Sequence, residues 1–155
     1  MHIITKTNKI NDIECKEIAM YITFFTDNDI SFINRIIICT ENNYEQTINE
    51  MRKDAQITKS ERFNGFGKTI IYDEKQSDIF IREEIILGIL NNIVMDNDKI
   101  TIADTFPIKC LLHEIGHSFN NSISGEVIFK KEYSWSTTPL NEYLNYHYLI
   151  EKDEY

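Results

Sequence analysis

Short apolar runs alternate with polar stretches along the chain, and their periods predict its elements. Residues 12–25 put Cys15, Ile18, Ala19 and Ile22 on one helical face. Ile18, Met20, Ile22 and Phe24 also alternate as in a strand, so this segment admits a helix or a strand. The polar stretch from Asp27 to Asp29 ends it. Residues 32–39 are dense in β-branched side chains and predict a buried strand. Residues 41–55 are polar, with Tyr44, Ile48 and Met51 at helical spacing, and predict a surface helix. After a polar loop at 56–65, residues 68–72 and 78–82 predict a hairpin joined by polar residues 73–77. In its return strand Ile79 and Ile81 face one way and Phe80 the other. Residues 83–95 predict a helix with Ile86, Leu87, Leu90 and Val94 on one side, ended by 96–98. A short extended piece follows at 99–103. Pro107 opens the next helix, with Thr105 or Phe106 at its cap and an end near Asn120. Residues 121–137 are irregular or weakly stranded, and Thr138-Pro139 start a last helix reaching about Lys152. Early alternation followed by helices predicts an α+β domain with a small sheet.

Composition narrows the function. The 155 residues amount to one domain, 1–155, large enough to bury a core without disulfides. Sixteen Lys+Arg against 25 Asp+Glu leave a net charge of −9, which argues against nucleic acid and anionic lipid as partners. Cys15, Cys39 and Cys110 form no C-x-x-C pair and predict buried free thiols, in keeping with a reducing, cytoplasmic setting. The N-terminal residues lack the apolar stretch of a signal peptide, and the apolar runs at 36–39 and 85–90 are too short to cross a bilayer. No stretch has the composition of a flexible linker.

Two of the four histidines stand in one pattern, His113-Glu114-Ile115-Gly116-His117, or H-E-x-x-H, inside a predicted helix. Positions i and i+4 lie about 40° apart and one turn along. Two imidazoles so placed can reach one zinc ion at about 2.0–2.1 Å. Glu114 projects from the flank of that face, round from a ligand position but within reach of a zinc-bound water. Zinc lowers the pKa of that water towards about 7, and a carboxylate can take its proton as it attacks a carbonyl. Ile108, Leu111, Leu112, Ile115 and Phe119 form the opposite, apolar stripe. Gly116 costs about 1 kcal/mol against Ala in a helix, which suggests close approach of a backbone or substrate there.

A catalytic zinc takes three protein ligands and keeps one position open. Asn120 and Ile123 stand where the extended metzincin pattern requires Gly and His, so that subtype is excluded. Downstream, Glu126, Glu132, Glu142 and His147 are the candidates. Glu142 leads, because a helix starting at Pro139 and packed across the first can aim its carboxylate at the metal. A glutamate there also suits the positive end of a helix, and His147 is by default a surface or partly buried residue. Asn145 or Asp104 can hold a ligand imidazole. Tyr133, Tyr143, Tyr146 and Tyr148 can donate to an oxyanion, although each suits packing better than catalysis.

The segment Leu111-Leu112-His113-Glu114-Ile115-Gly116-His117 resembles the active-site helix of zincin metallopeptidases. The hairpin at 65–82 resembles the edge-strand element along the cleft of that fold. Asn141-Glu142-Tyr143 is similar to the segment that carries the third ligand in compact zincins of the ImmA/IrrE type, with Leu144-Asn145 where those use Ala-Asn. The resemblance covers about residues 33–150. It implies an α+β, zincin-like fold, a small mixed sheet with an edge strand over the active-site helix, and a C-terminal helix. It also implies a cytosolic zinc protease acting on a protein substrate, several members cutting a repressor-type regulator. No helix-turn-helix is visible, so such a regulator is a separate chain.

These readings lead to a zinc-dependent endopeptidase. His113, His117 and Glu142 bind Zn2+, Glu114 activates the water, and the strand near 78–82 holds an extended peptide by β-augmentation. The alternatives are a zincin-like binding module that does not cut its partner, and a zinc hydrolase acting on a non-peptide bond. A pure binder has no need of Glu114.

Overall fold

The computed structural model describes residues 1–26, 30–51, 65–71, 76–96 and 99–120. In chain order the elements are β1 (His2–Thr5), α1 (Asp12–Phe25), β2 (Ile33–Cys39), α2 (Tyr44–Met51), β3 (Gly67–Ile71), β4 (Ser77–Arg82), α3 (Glu83–Asn92), β5 (Ile93–Asp96), β6 (Lys99–Ile102) and α4 (Phe106–Asn120). This is a small α+β arrangement with a mixed sheet and four helices among the described residues. The break at 27–29, the end of the second helix with its following loop, the connection at 72–75, and everything expected beyond residue 120 lie outside the described residues.

A capping box decides the first segment for helix. The Asn11 side chain accepts from the Glu14 N–H at 2.9 Å, and the Glu14 carboxylate accepts from the Asn11 N–H at 3.1 Å. Such a cap stabilises a helix start by about 1 kcal/mol. Cys15, Ile18, Tyr21, Ile22 and Phe25 are then buried at a spacing of three or four residues, and Met20, which the strand reading needs, is 44% exposed.

The main sheet runs β1-β2-β4-β3, with β1, β2 and β4 parallel and β3 antiparallel to β4. In β2, Ile36 and Ile38 enter the larger core with α1, α3 and α4, while Ile37 and Cys39 enter a smaller one with Tyr44 and Ile48 of α2. A parallel strand covered on both faces reads as an unbroken apolar run, which is why residues 32–39 looked buried. β4 alternates as expected, Ile79 and Ile81 to the larger core and Phe80 to the smaller. Asp78 is tolerated in this strand because Arg35, its register partner on β2, binds it by Nε at 3.1 Å and Nη2 at 2.5 Å.

Two expectations are corrected. The strand at 78–82 is not an edge. Ile79, Phe80 and Ile81 are fully buried, and β4 lies between β2 and β3, so both its backbone edges are paired and it offers none for β-augmentation. Among the described residues the outer strand on that side is β3. The helix expected over 83–95 stops at Asn92, whose side-chain amide donates to the Gly88 carbonyl at 2.8 Å. Ile93 turns extended, and β5 pairs antiparallel with β6. Val94, expected on the apolar face of a helix, is 63% exposed on that hairpin.

α4 is seated from both ends. The Thr105 carbonyl accepts the first turn's bond from Lys109 N–H at 3.0 Å, and the Asp104 carboxylate accepts from the Phe106 N–H at 3.0 Å. Pro107 crosses α3 at Gly88, where an added Cβ would lie 2.7 Å from the proline ring. Ile108, Leu111, Leu112 and Ile115 are buried in the larger core. Near the other end, the Ser118 hydroxyl meets that of Ser77 on β4 at 2.8 Å in a buried hydrogen bond.

Candidate metal centre

With its apolar stripe committed to the core, α4 turns His113 and His117 to the other side. His113 is exposed and His117 half-buried. Their Nε2 atoms stand 2.9 Å apart, with ring planes inclined at 78° and centroids 4.6 Å apart. That distance is a hydrogen bond in which one ring nitrogen donates to the other. Two nitrogens bound to one tetrahedral zinc sit about 3.3 Å apart, so a small side-chain rotation suffices to accept the ion. Metal binding also needs neutral imidazoles. Burial, reinforced by the charges of His113 and Lys68, pushes His117 down to about 4. The donor set therefore fits zinc on geometry, and His117 fits it in protonation.

Glu114 completes the group, with candidate ligand atoms of the three residues all within 4.8 Å of one another. Unlike the two imidazoles, its side chain is buried, against the sheet. The Thr69 hydroxyl of β3 donates to Glu114 Oε2 at 2.6 Å and lies 3.0 Å from the Glu114 carbonyl oxygen. Gly67, two residues earlier on the same side of β3, leaves room for the glutamate stem. A Cβ there would fall 2.9 Å from Glu114 Cγ. Burial raises the pKa of the Glu114 carboxyl, against the opposing pull of the Thr69 hydrogen bond and of the His113 and Lys68 charges. This is a carboxylate held dry and given a greater appetite for a proton, the environment of a general base.

The neighbouring groups are less suited to chemistry. Burial, with the Glu114 charge, pushes the Cys110 thiol up to about 11, so it stays protonated near neutrality. Cys39, wholly buried, is likewise at about 11. All three cysteines are free thiols; Cys15 and Cys39 are buried as expected, whereas Cys110 is only partly so. The hydroxyl of Tyr44 is buried without a hydrogen-bond partner among the described residues.

Of the residues read from sequence, the structure brings His113, Glu114 and His117 together. Glu142, His147, Glu126, Glu132, Asn145, Tyr133, Tyr143, Tyr146 and Tyr148 lie outside the described residues. Asp104 is corrected: its carboxylate accepts from the Phe106 N–H at the start of α4, about 10 Å along the axis from His113, too far to hold an imidazole. Thr69 and Gly67 were missed. Their one visible signal was a Gly-x-Thr pair of small residues at strand period, opposite the apolar return strand. No helix among the described residues is long and apolar enough to cross a membrane. Comparison with protein-family profiles, with curated proteins and with solved structures returned no match to the chain.

Proposed function

We propose that the protein is a zinc-dependent metallopeptidase of compact, zincin-like architecture that hydrolyses a peptide bond in a protein substrate. The observation that carries this reading is the pair of Nε2 atoms 2.9 Å apart on one helix, with a buried carboxylate beside them. A structural ion needs no such carboxylate, whereas amide hydrolysis needs a base in reach of the metal. His113 and His117 hold the ion, with Glu142 as the third ligand from the chain beyond α4. Zinc supplies Lewis acidity, which polarises a carbonyl and brings the pKa of water down towards neutrality.

The chain's own groups do the rest. Glu114 accepts the proton of the attacking water on its carboxylate and returns it to the nitrogen of the leaving amine. Burial favours the first transfer by raising its proton affinity, and the Thr69 hydrogen bond, which lowers that affinity, favours the second. Among the described residues β3 is the outer strand beside α4, so an extended substrate pairs there and not with β4. The three unpaired thiols suit a reducing, cytoplasmic setting.

The test is Glu114→Gln, assayed with wild type on a fluorescence-quenched peptide library after zinc reconstitution. The variant is expected to hold as much zinc and to hydrolyse about 10²–10⁴-fold more slowly. Equal activity removes Glu114 from its role. A wild type that holds zinc, cleaves no peptide and forms a stable complex with a partner favours the binding module instead.

A further inference from the structure

We infer that Thr69, on the outer strand, is a positioning residue that fixes the orientation of the Glu114 carboxylate. The inference rests on the role of Glu114 proposed above. A threonine hydroxyl has one proton to give and two glutamate oxygens within reach, at 2.6 and 3.0 Å. The shorter contact runs to the charged acceptor, so it is the bond made while the carboxylate is ionised. It engages Oε2 and leaves Oε1 to take a proton. Gly67 acts on the same side chain from the same strand face, because any larger residue would press on Glu114 Cγ.

Head and stem of one glutamate are thus set by two alternate residues of β3. A glutamate side chain is rich in rotamers, and a base that must find its orientation during the reaction forfeits rate. The bond joins residues 45 apart in the chain, so it ties the base to the neighbouring strand and not to its own helix. If Thr69 only satisfied a buried acceptor, its loss would lower stability and leave the carboxylate where it is. The two roles separate on where Glu114 goes and on which kinetic constant moves.

The experiment uses the full chain, zinc-reconstituted, as Thr69→Val and Thr69→Ser. Three readouts are taken: zinc per chain, the crystallographic position of the Glu114 carboxyl, and kcat and KM on one peptide that wild type cleaves. Thr69→Val is expected to keep its zinc and to spread the Glu114 carboxyl over more than one rotamer. Its kcat falls about 10–100-fold while KM changes less than about twofold. Thr69→Ser keeps the hydroxyl, holds the carboxyl in place and restores most of the rate. A carboxyl that stays in place in Thr69→Val, or a kcat equal to wild type, overturns the inference. If wild type cleaves no peptide, the peptidase reading fails, and the carboxyl position in Thr69→Val still decides whether Thr69 positions Glu114. Should the valine variant not fold, Thr69→Ala serves in its place.

Discussion

His117 and Glu114 sit three residues apart, and the same burial moves their proton affinities in opposite directions. An imidazole in the unfolded chain titrates near about 6.5, while His117 in the folded protein sits at about 4. Between these values the unfolded chain binds a proton that the folded, zinc-free protein refuses. The contribution of His117 to stability is therefore lost as pH falls from about 6.5 towards about 4. For Glu114 the sign reverses. Its folded pKa is raised, so the folded protein takes up a proton first and its contribution grows as pH falls. A bulk stability curve mixes the two, and His117→Asn separates them. The advantage of zinc-free wild type over this variant, read from urea midpoints, is expected to shrink between about pH 7 and about pH 4. A difference that does not change with pH contradicts the burial of that imidazole.

Between elements, the contact that matters is β3 against α4, and Gly67 reports on it. Alanine in place of a strand glycine ordinarily stabilises by about 0.5–1 kcal/mol through backbone entropy. Here the new Cβ would lie 2.9 Å from Glu114 Cγ, 3.0 Å from Ile81 Cδ1 and 3.3 Å from the Phe80 carbonyl oxygen. Overpacking of this kind costs about 1–3 kcal/mol and outweighs the entropy. Gly67→Ala is expected to lower the urea midpoint, and a raised midpoint would mean that strand and helix do not meet this closely. The same elements mark how far the pattern of residues could be read. α4 was legible from Pro107 to Asn120 because a cap, a proline and an apolar stripe agree. α1 stayed ambiguous because two periods fit one set of side chains, and the deciding signal, Asn11 with Glu14, stood at its start. β4 is not at the expected edge because strand order is a matter of long-range pairing, although its three consecutive apolar residues, Ile79, Phe80 and Ile81, suit an interior strand. The helix of α3 was carried too far because Ile93 and Val94 continue a helical spacing that the hairpin β5–β6 then uses in extended form.

At the scale of the molecule, a small mixed sheet and two helices bring one face of α4 to the side of an outer strand. The two histidines were legible because their geometry is local, one helix and one spacing. The seat of Glu114 was not, because Thr69 lies 45 residues earlier and no spacing rule links a strand hydroxyl to a helix carboxylate. The proposed hydrolysis depends on the face of α4 being a metal centre and not a pair of packed imidazoles. Zinc per chain, measured by mass spectrometry after reconstitution and removal of free metal, tests this most directly. About one equivalent is expected for wild type and little for His113→Ala, which leaves too few ligands. Less than about a tenth of an equivalent on wild type would contradict a metal centre at His113 and His117.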